Sequence, residues 1–354
     1  MRFRDKPKGA WLTLNRDCNL RCKWCYAQDT GFHVSQSMRL EDAYKAIDII
    51  ADLEIESVSI IGGEPTIYEH LFEVLEYCES KKIGSVLVTN GLKLRDKAYV
   101  QKLKDAGIGG IYLAVKGGTK EEYISVTGRD VFSEIIDAIE TVREMKIGYQ
   151  ISYVVSDKNI EMLHKTLKGL QVLKCSPDDS IEVNFCDPYF RQDKIYAIEE
   201  PIRMFKTFME QAEIIMKDNI EFGFFCSAPL CFFKKEFIEK FTKNGNISTV
   251  CHVHDRSGIV FNTNLDLLVC NVLFNYPIGQ YGKDYTDATT LLKYLHDDKI
   301  IGWYKELLKV PDNECVNCKE FSMCAGGCVL YWFKYDFQTL KNIKNDSMLL
   351  DKSP

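Results

Sequence analysis

No run in these 354 residues approaches the roughly 20 apolar residues that a membrane-spanning helix needs, and the start, Met1-Arg2-Phe3-Arg4-Asp5-Lys6-Pro7, lacks the apolar core of a secretory signal. Both absences point to a cytoplasmic protein with no membrane partner. Positive charge is short as well. With 45 Lys and Arg against 51 Asp and Glu, the formal net charge of -6 leaves no basic field for capturing nucleic acid by counterion release, so no nucleic-acid partner is expected. What the chain does have is a hydrophobic fraction of 46%, enough to bury one large domain plus a smaller one, and 14 cysteines. In a reducing compartment those cysteines read as metal ligands sooner than as disulfides.

Three of them are spaced Cys18-x3-Cys22-x2-Cys25, directly after the apolar run Trp11-Leu12-Thr13-Leu14. Chance supplies that spacing only about 0.02 times in a chain of this composition, so accidental clustering is a weak alternative. A structural zinc site and a ferredoxin-type cluster each take four protein ligands. Three thiolates with no fourth nearby leave one iron of a four-iron cluster open to something else.

From residue 9 to about 190, short apolar runs alternate with amphipathic stretches, the pattern of parallel βα units. Strands are expected at Ala10–Asn15, Ser57–Ile61, Ser85–Thr89, Gly110–Val115, Tyr149–Val155 and Ser180–Phe185. Helices are expected near Arg39–Leu53, Tyr68–Lys81, Leu94–Ala106, Ser133–Lys146 and Asn159–Leu173. Six units, fewer than a closed barrel requires, predict an α/β fold with a partial (βα)6 parallel barrel. Loops after the strand C-termini build the active site of such barrels. The cysteine triplet follows strand one, Gly62-Gly63-Glu64-Pro65 follows strand two and Thr89-Asn90-Gly91 follows strand three. Glycines at 62 and 63 let backbone approach a ligand closely, and Glu64 offers a carboxylate for an ammonium, although an ordinary tight turn reads the same way in isolation.

The stretch Asn15-Arg16-Asp17-Cys18-Asn19-Leu20-Arg21-Cys22-Lys23-Trp24-Cys25-Tyr26 resembles the signature of radical S-adenosylmethionine (radical SAM) enzymes, Trp24 before the third cysteine included. The resemblance implies a 4Fe–4S cluster on Cys18, Cys22 and Cys25, whose open iron is chelated by SAM and whose electron cleaves SAM to a 5′-deoxyadenosyl radical. It also implies an electron donor such as flavodoxin or ferredoxin. Gly62, Gly63, Glu64 and Pro65 match the family's GGE motif, which holds the methionine amino group, while Thr89 and Asn90 match a position facing the cofactor. One departure follows strand four: many relatives carry Ser-x-Asp-Gly there, with the serine on SAM, whereas this chain reads Ala114-Val115-Lys116-Gly117. Lys116 is either a solvated lysine or a partner for a substrate carboxylate.

Beyond residue 190 the βα rhythm fades. The expected organisation is a barrel over 1–190, a helical bridge over 191–250 with a helix near Ile202–Lys217, and a cysteine-rich domain over 251–354. Cys315-x2-Cys318-x5-Cys324-x3-Cys328 has metal-ligand spacing in a polar loop, and Cys251 and Cys270 flank a hairpin of Gly258–Phe261 and Leu267–Val269. This pattern resembles the SPASM extension, which houses one or two auxiliary iron–sulfur clusters. The resemblance assigns Cys251, Cys270 and Cys328 to a first auxiliary cluster and Cys315, Cys318 and Cys324 to a second. Cys231, nearer the hairpin, is the first choice for completing the first cluster and Cys226 the second choice. No cysteine follows Cys328, so Asp336, water, a substrate atom or nothing completes the second. A single zinc on Cys315, Cys318, Cys324 and Cys328 is the bland alternative. Cys78, Cys175 and Cys186 read as buried structural thiols. Strand alternation would place His252 and His254 on one face as a ligand pair, against the commoner reading of solvated or core-satisfied histidines.

SPASM-bearing relatives mostly modify ribosomal peptides, which makes a peptide substrate the first expectation and a sugar, nucleoside or amino-acid derivative the second. A non-catalytic iron–sulfur or zinc protein is the third, and it leaves the open-iron triplet without a purpose. Sulfatase-maturing relatives place a basic aspartate after the hairpin cysteine, where this chain has Asn271, which argues against formylglycine generation. Only 17 residues precede Cys18, so leader recognition is expected to fall to a separate protein or to the cavity itself. No general base is assigned from sequence.

Overall fold

The computed structural model describes residues 4–28, 36–176, 179, 181–185, 200–225, 228–243, 247–248 and 251–350. Short runs that alternate buried with half-buried residues form strands, separated by helices with one apolar face. In chain order the elements are β1 (Gly9–Thr13), α1 (Leu40–Asp52), β2 (Ser57–Ile61), α2 (Leu71–Ser80), β3 (Gly84–Thr89), α3 (Lys97–Asp105), β4 (Gly110–Val115), α4 (Lys120–Thr127), α5 (Phe132–Glu144), β5 (Tyr149–Val155), α6 (Leu163–Leu170), β6 (Ile181–Phe185) and α7 (Glu200–Lys217). They continue as β7 (Phe222–Phe225), α8 (Lys235–Lys243), β8 (Ile247–Ser248), α9 (His252–Asp255), β9 (Gly258–Phe261) and β10 (Leu267–Leu268).

The strands form one sheet in the order β10-β9-β1-β2-β3-β4-β5-β6-β7-β8. Every pairing is parallel except β9 with β10. Register aligns Leu12, Ile60, Leu87 and Ile111 across β1 to β4, and all four are buried among the aliphatic residues of the helices. At about 1.5–3 kcal/mol per fully buried aliphatic side chain, this outer face is what holds the helices to the sheet. The alternate residues face the concave side. Trp11 on β1 and Phe225 on β7, six strands apart in the sheet, line the same cavity, so the sheet curls into the expected partial barrel.

Several boundaries differ for local reasons. β1 ends at Thr13, short of Asn15, because the next residues pair with the loop after β2. The helix expected over 94–106 is divided by Asp96, whose carboxylate accepts from the N–H groups of Ala98 and Tyr99 at 2.9 and 3.3 Å and starts α3 afresh. The stretch 159–173 is α6 flanked by two tighter turns. Helix α4 was not expected from its weak apolar periodicity, yet Thr119 caps its start and Gly128, at φ +73°, ends it. The bridge over 191–250 is not purely helical: β7 and β8 extend the barrel sheet, and phenylalanines pack α7 on it, with Phe208 and Phe224 ring centroids 4.3 Å apart. On the other edge, β9 of the expected hairpin pairs with β1, so the sheet runs across the boundaries at 190 and 250. Among the described residues, no helix is long and apolar enough to cross a membrane.

Candidate active site and cysteine-lined cavities

The loop after β1 and the turn after β2 are built as one unit. Leu14 N–H donates to Ile61 O at 2.9 Å, Gly63 N–H to Asn15 O at 2.9 Å and Glu64 N–H to Asp17 O at 2.7 Å. A Cβ on Gly63 would sit 2.2 Å from Asp17 O and 2.5 Å from Arg16 O, so any larger residue would push the cysteine loop away. Cys18 Sγ accepts from Leu20 N–H at 3.4 Å and lies 3.9 Å from Asn90 Nδ2. Burial pushes the Cys18 thiol up to about 11 and Cys25 to about 12, and raises Cys22 too. Lys116 opposes this at all three, its cation acting on the triplet from the loop after β4, where Ala114 holds the serine position of the Ser-x-Asp-Gly pattern and Lys116 the aspartate position.

Glu64 is 1% exposed, and its carboxylate is already engaged. Oε1 accepts from Thr66 N–H at 3.1 Å, Thr66 Oγ1 at 2.6 Å and Thr89 Oγ1 at 2.6 Å, while Oε2 accepts from Asn90 N–H at 2.8 Å. The side chain thus ties the ends of β2 and β3 together, and what the turn can offer a ligand is mainly backbone. Pro65 opens the short turn Pro65–Ile67, which Glu64 caps. Asn90 Nδ2 donates to Asn19 Oδ1 at 2.7 Å and holds the cysteine loop from the β3 side, and Gly91 turns the chain at φ +84°. Trp24 is half-buried against the core.

Two features escaped the sequence reading. Arg16 is 1% exposed, with its guanidinium 3.8 Å from the Phe274 ring centroid; among the described residues Nε and both Nη atoms have no hydrogen-bond acceptor, and burial lowers its pKa. This contact joins the cysteine loop to the turn after Cys270. On the concave face, Tyr112, Ser152, Glu182 and Asn184 form a polar wall: Asn184 Nδ2 reaches Ser152 Oγ and Glu182 Oε1, both at 3.3 Å, and burial with Glu182 beside it raises the Tyr112 hydroxyl pKa. Its signal was available. These residues alternate with the buried Ile111, Leu113, Ile151 and Val183 on the other face of the same strands.

Seven further cysteines divide between two cavities. Cys251, Cys270 and Cys328 line one of about 230 Å³, whereas Cys315, Cys318 and Cys324 line another of about 830 Å³. Cys231 lies with the second group, not with the first as expected. Cys226 and Cys186 lie outside the described residues. Asp336 accepts from Thr339 N–H at 2.8 Å and Thr339 Oγ1 at 2.7 Å, so it caps the helix Phe337–Leu350 instead of reaching the cavity. Cys328 lines the smaller cavity and Cys315, Cys318 and Cys324 the larger, and among the described residues no three His, Cys, Asp or Glu side chains are grouped closely enough to hold a single metal ion. The polar loop carries two short helices, Asn313–Val316 and Phe321–Cys324.

His252 and His254 sit on α9, not on a strand, because Cys251 initiates a helical turn that Arg256 ends in the left-handed region. His254 Nδ1 accepts from Cys251 N–H at 3.3 Å, so Nε2 carries the proton toward Gly327 O at 3.0 Å. His252 Nε2 lies 3.0 Å from Val269 O. Burial lowers both pKa values, which keeps the rings neutral. Cys78 is buried as expected, whereas Cys175 is exposed in the bend that follows the last turn after α6.

The class this defines is a parallel partial barrel with three thiols in the loop after its first strand and a glycine pair packed against the residues that lead into that loop. Residues 12–170 match the profile of the Radical SAM superfamily, and this segment is a radical SAM domain. That family implies a 4Fe–4S cluster binding SAM. The residues fit it: three thiols on one loop, N–H groups on a thiol sulfur, and a glycine pair that leaves no room for a side chain against that loop. The fold is shared with SuiB of Streptococcus suis, crystallised bound to precursor peptide SuiA, at TM-score 0.68 and 19% identity over 94% of this chain and 74% of that one. It is shared also with anSMEcpe, crystallised with AdoMet and the Cp18Cys peptide, at TM-score 0.65 and 20% identity over 96% and 99% of the two chains. The likeness extends through the C-terminal cysteine-rich region, so the expected barrel with a SPASM-type extension is the fold observed. By sequence, a probable GTP 3',8-cyclase of Saccharolobus islandicus is 29% identical over 176 residues, 49% of this chain and 56% of the relative. The chain thus spans little more than half the length of that curated relative.

Proposed function

We propose that this chain is a radical SAM enzyme that modifies a peptide, forming a crosslink such as a thioether or carbon–carbon bond, or epimerising a residue. The observation that carries the reading is the meeting of the Cys18–Cys25 loop, the Gly62–Glu64 turn and Lys116 at one mouth of the barrel, with two more cysteine-lined cavities beyond it. When bound, the cluster and SAM supply a 5′-deoxyadenosyl radical that abstracts hydrogen. The chain's own residues do the rest. Cys18, Cys22 and Cys25 anchor, the backbone of Gly62 and Gly63 approaches the SAM amino group, and Lys116 offers a cation to a carboxylate. The polar wall of Tyr112, Ser152, Glu182 and Asn184 binds and orients the substrate. SuiB and anSMEcpe, both crystallised with peptides, share the fold over almost the whole chain and support the peptide assignment. A flavodoxin or ferredoxin as electron donor and a separate leader-recognition protein complete the proposed system.

A polar small metabolite is the second reading, favoured by the name of the curated relative and by the same polar wall. The test is anaerobic incubation with SAM and dithionite. Formation of 5′-deoxyadenosine is expected, and its absence refutes radical chemistry. Mass spectrometry of a peptide encoded beside the gene then separates the outcomes: a decrease of about 2 Da means oxidation, and an inverted residue at unchanged mass means epimerisation. An untouched peptide alongside a consumed nucleotide or sugar would move the assignment to the second reading.

A further inference from the structure

We propose that Cys231 is the fourth thiolate of the second auxiliary iron–sulfur centre, closing the coordination set begun by Cys315, Cys318 and Cys324. The inference rests on the radical SAM reading given above and departs from the sequence, which put Cys231 nearer the other group.

The second group brings three thiols from its own segment, where a four-iron cluster takes four. Space and position provide one from the bridge. Cys231 lines the 830 Å³ cavity together with Cys315, Cys318 and Cys324, while the 230 Å³ cavity holds Cys251, Cys270 and Cys328. The placement is fixed at both ends of a short turn, Leu230–Phe232. Leu230 N–H donates to Cys324 Sγ at 3.3 Å, so the turn is already fastened to one of the three thiols. Lys344 Nζ donates to Cys231 O at 2.6 Å, which fastens it to the helix Phe337–Leu350. Leu230 and Phe232 are buried on either side, at 4% and 2% exposure, and Cys231 between them opens onto the cavity. Asp336, the other residue able to complete the set, is used as a helix cap.

Four thiolates satisfy a four-iron cluster. On binding, the Cys231 S–H releases its proton to solvent and the sulfur donates a lone pair to iron; no electron changes hands. A centre closed in this way would leave no open iron position for substrate.

The test uses the full chain, reconstituted anaerobically with iron and sulfide. Iron and sulfide are counted in the parent, in Cys231→Ala, in Cys315→Ala and in the double variant, and the dithionite-reduced EPR spectrum is recorded for each. Cys231→Ser, which keeps the size of the side chain, guards against misfolding and should alter the same EPR signal. The expected result is that Cys231→Ala and Cys315→Ala each lose about four irons, or retain a three-iron form, and that the double variant loses no more than either alone. Full iron content with an unchanged spectrum in Cys231→Ala, or a double variant missing the iron of two centres, would overturn the proposal. A parent that makes 5′-deoxyadenosine while Cys231→Ala keeps its iron sinks this inference alone. A parent that takes up no iron sinks it together with the proposed function.

Discussion

Replacing Glu64 by glutamine puts an NH2 group into a site that offers only donors. With the amide oxygen in the place of Oε1, the bonds from Thr66 N–H, Thr66 Oγ1 and Thr89 Oγ1 survive as neutral bonds, but the new NH2 meets Asn90 N–H, which now donates at 2.8 Å. The opposite amide rotamer strands three donors instead of one. A hydrogen bond to a charged group contributes about 1.5–3 kcal/mol, and a buried donor left unpaired costs about 1–3 kcal/mol, so the expected loss is about 2–4 kcal/mol. At 1% exposure, water cannot repair the site. With about 2–4 °C per kcal/mol for domains of 150–250 residues, and less for longer chains, the melting temperature should fall by roughly 4–12 °C. Thermal unfolding followed by circular dichroism on metal-free protein measures it, with the exposed Glu56→Gln as control. A Glu64→Gln protein melting within about 1 °C of the parent would refute the idea that this carboxylate ties β2 to β3.

Four further outcomes can be checked. Gly63→Ala places a methyl group on Asp17 O and should abolish SAM binding by calorimetry while the fold persists by circular dichroism; retained affinity would show that the two loops need not touch. In metal-free protein the Cys18 thiol, pushed up to about 11, should be alkylated about tenfold faster per pH unit from 8 to about 11, read by peptide mass spectrometry; a plateau near pH 9 contradicts the burial argument. Because the folded thiol keeps its proton where the unfolded one has lost it, the same residues make metal-free protein progressively less stable above the ordinary thiol pKa of about 8.5, up to about 11. Glu182→Gln should cut product formation about tenfold to hundredfold, the loss of one charged hydrogen bond, with 5′-deoxyadenosine still formed; an unchanged product yield removes the polar wall from substrate binding.

The sequence by itself determined the barrel and its rim. Period-two apolar runs set β2, β4 and β5 at their observed bounds, because a half-buried strand leaves its alternation in the sequence whatever packs on it. The cysteine spacing and the glycine pair marked the rim for the same local reason, since both act through neighbours in the chain. Only the tertiary structure decided what distant residues share. It put Cys231 beside Cys315 and Cys324 across some ninety residues, made Lys116 a neighbour of the triplet, and joined β9 to β1. It also spent the Glu64 carboxylate on β3 and turned His252 and His254 inward from a helix. Such meetings depend on how the sheet curls and which loops dock, and pairwise contact at long separation leaves no periodic trace in one chain.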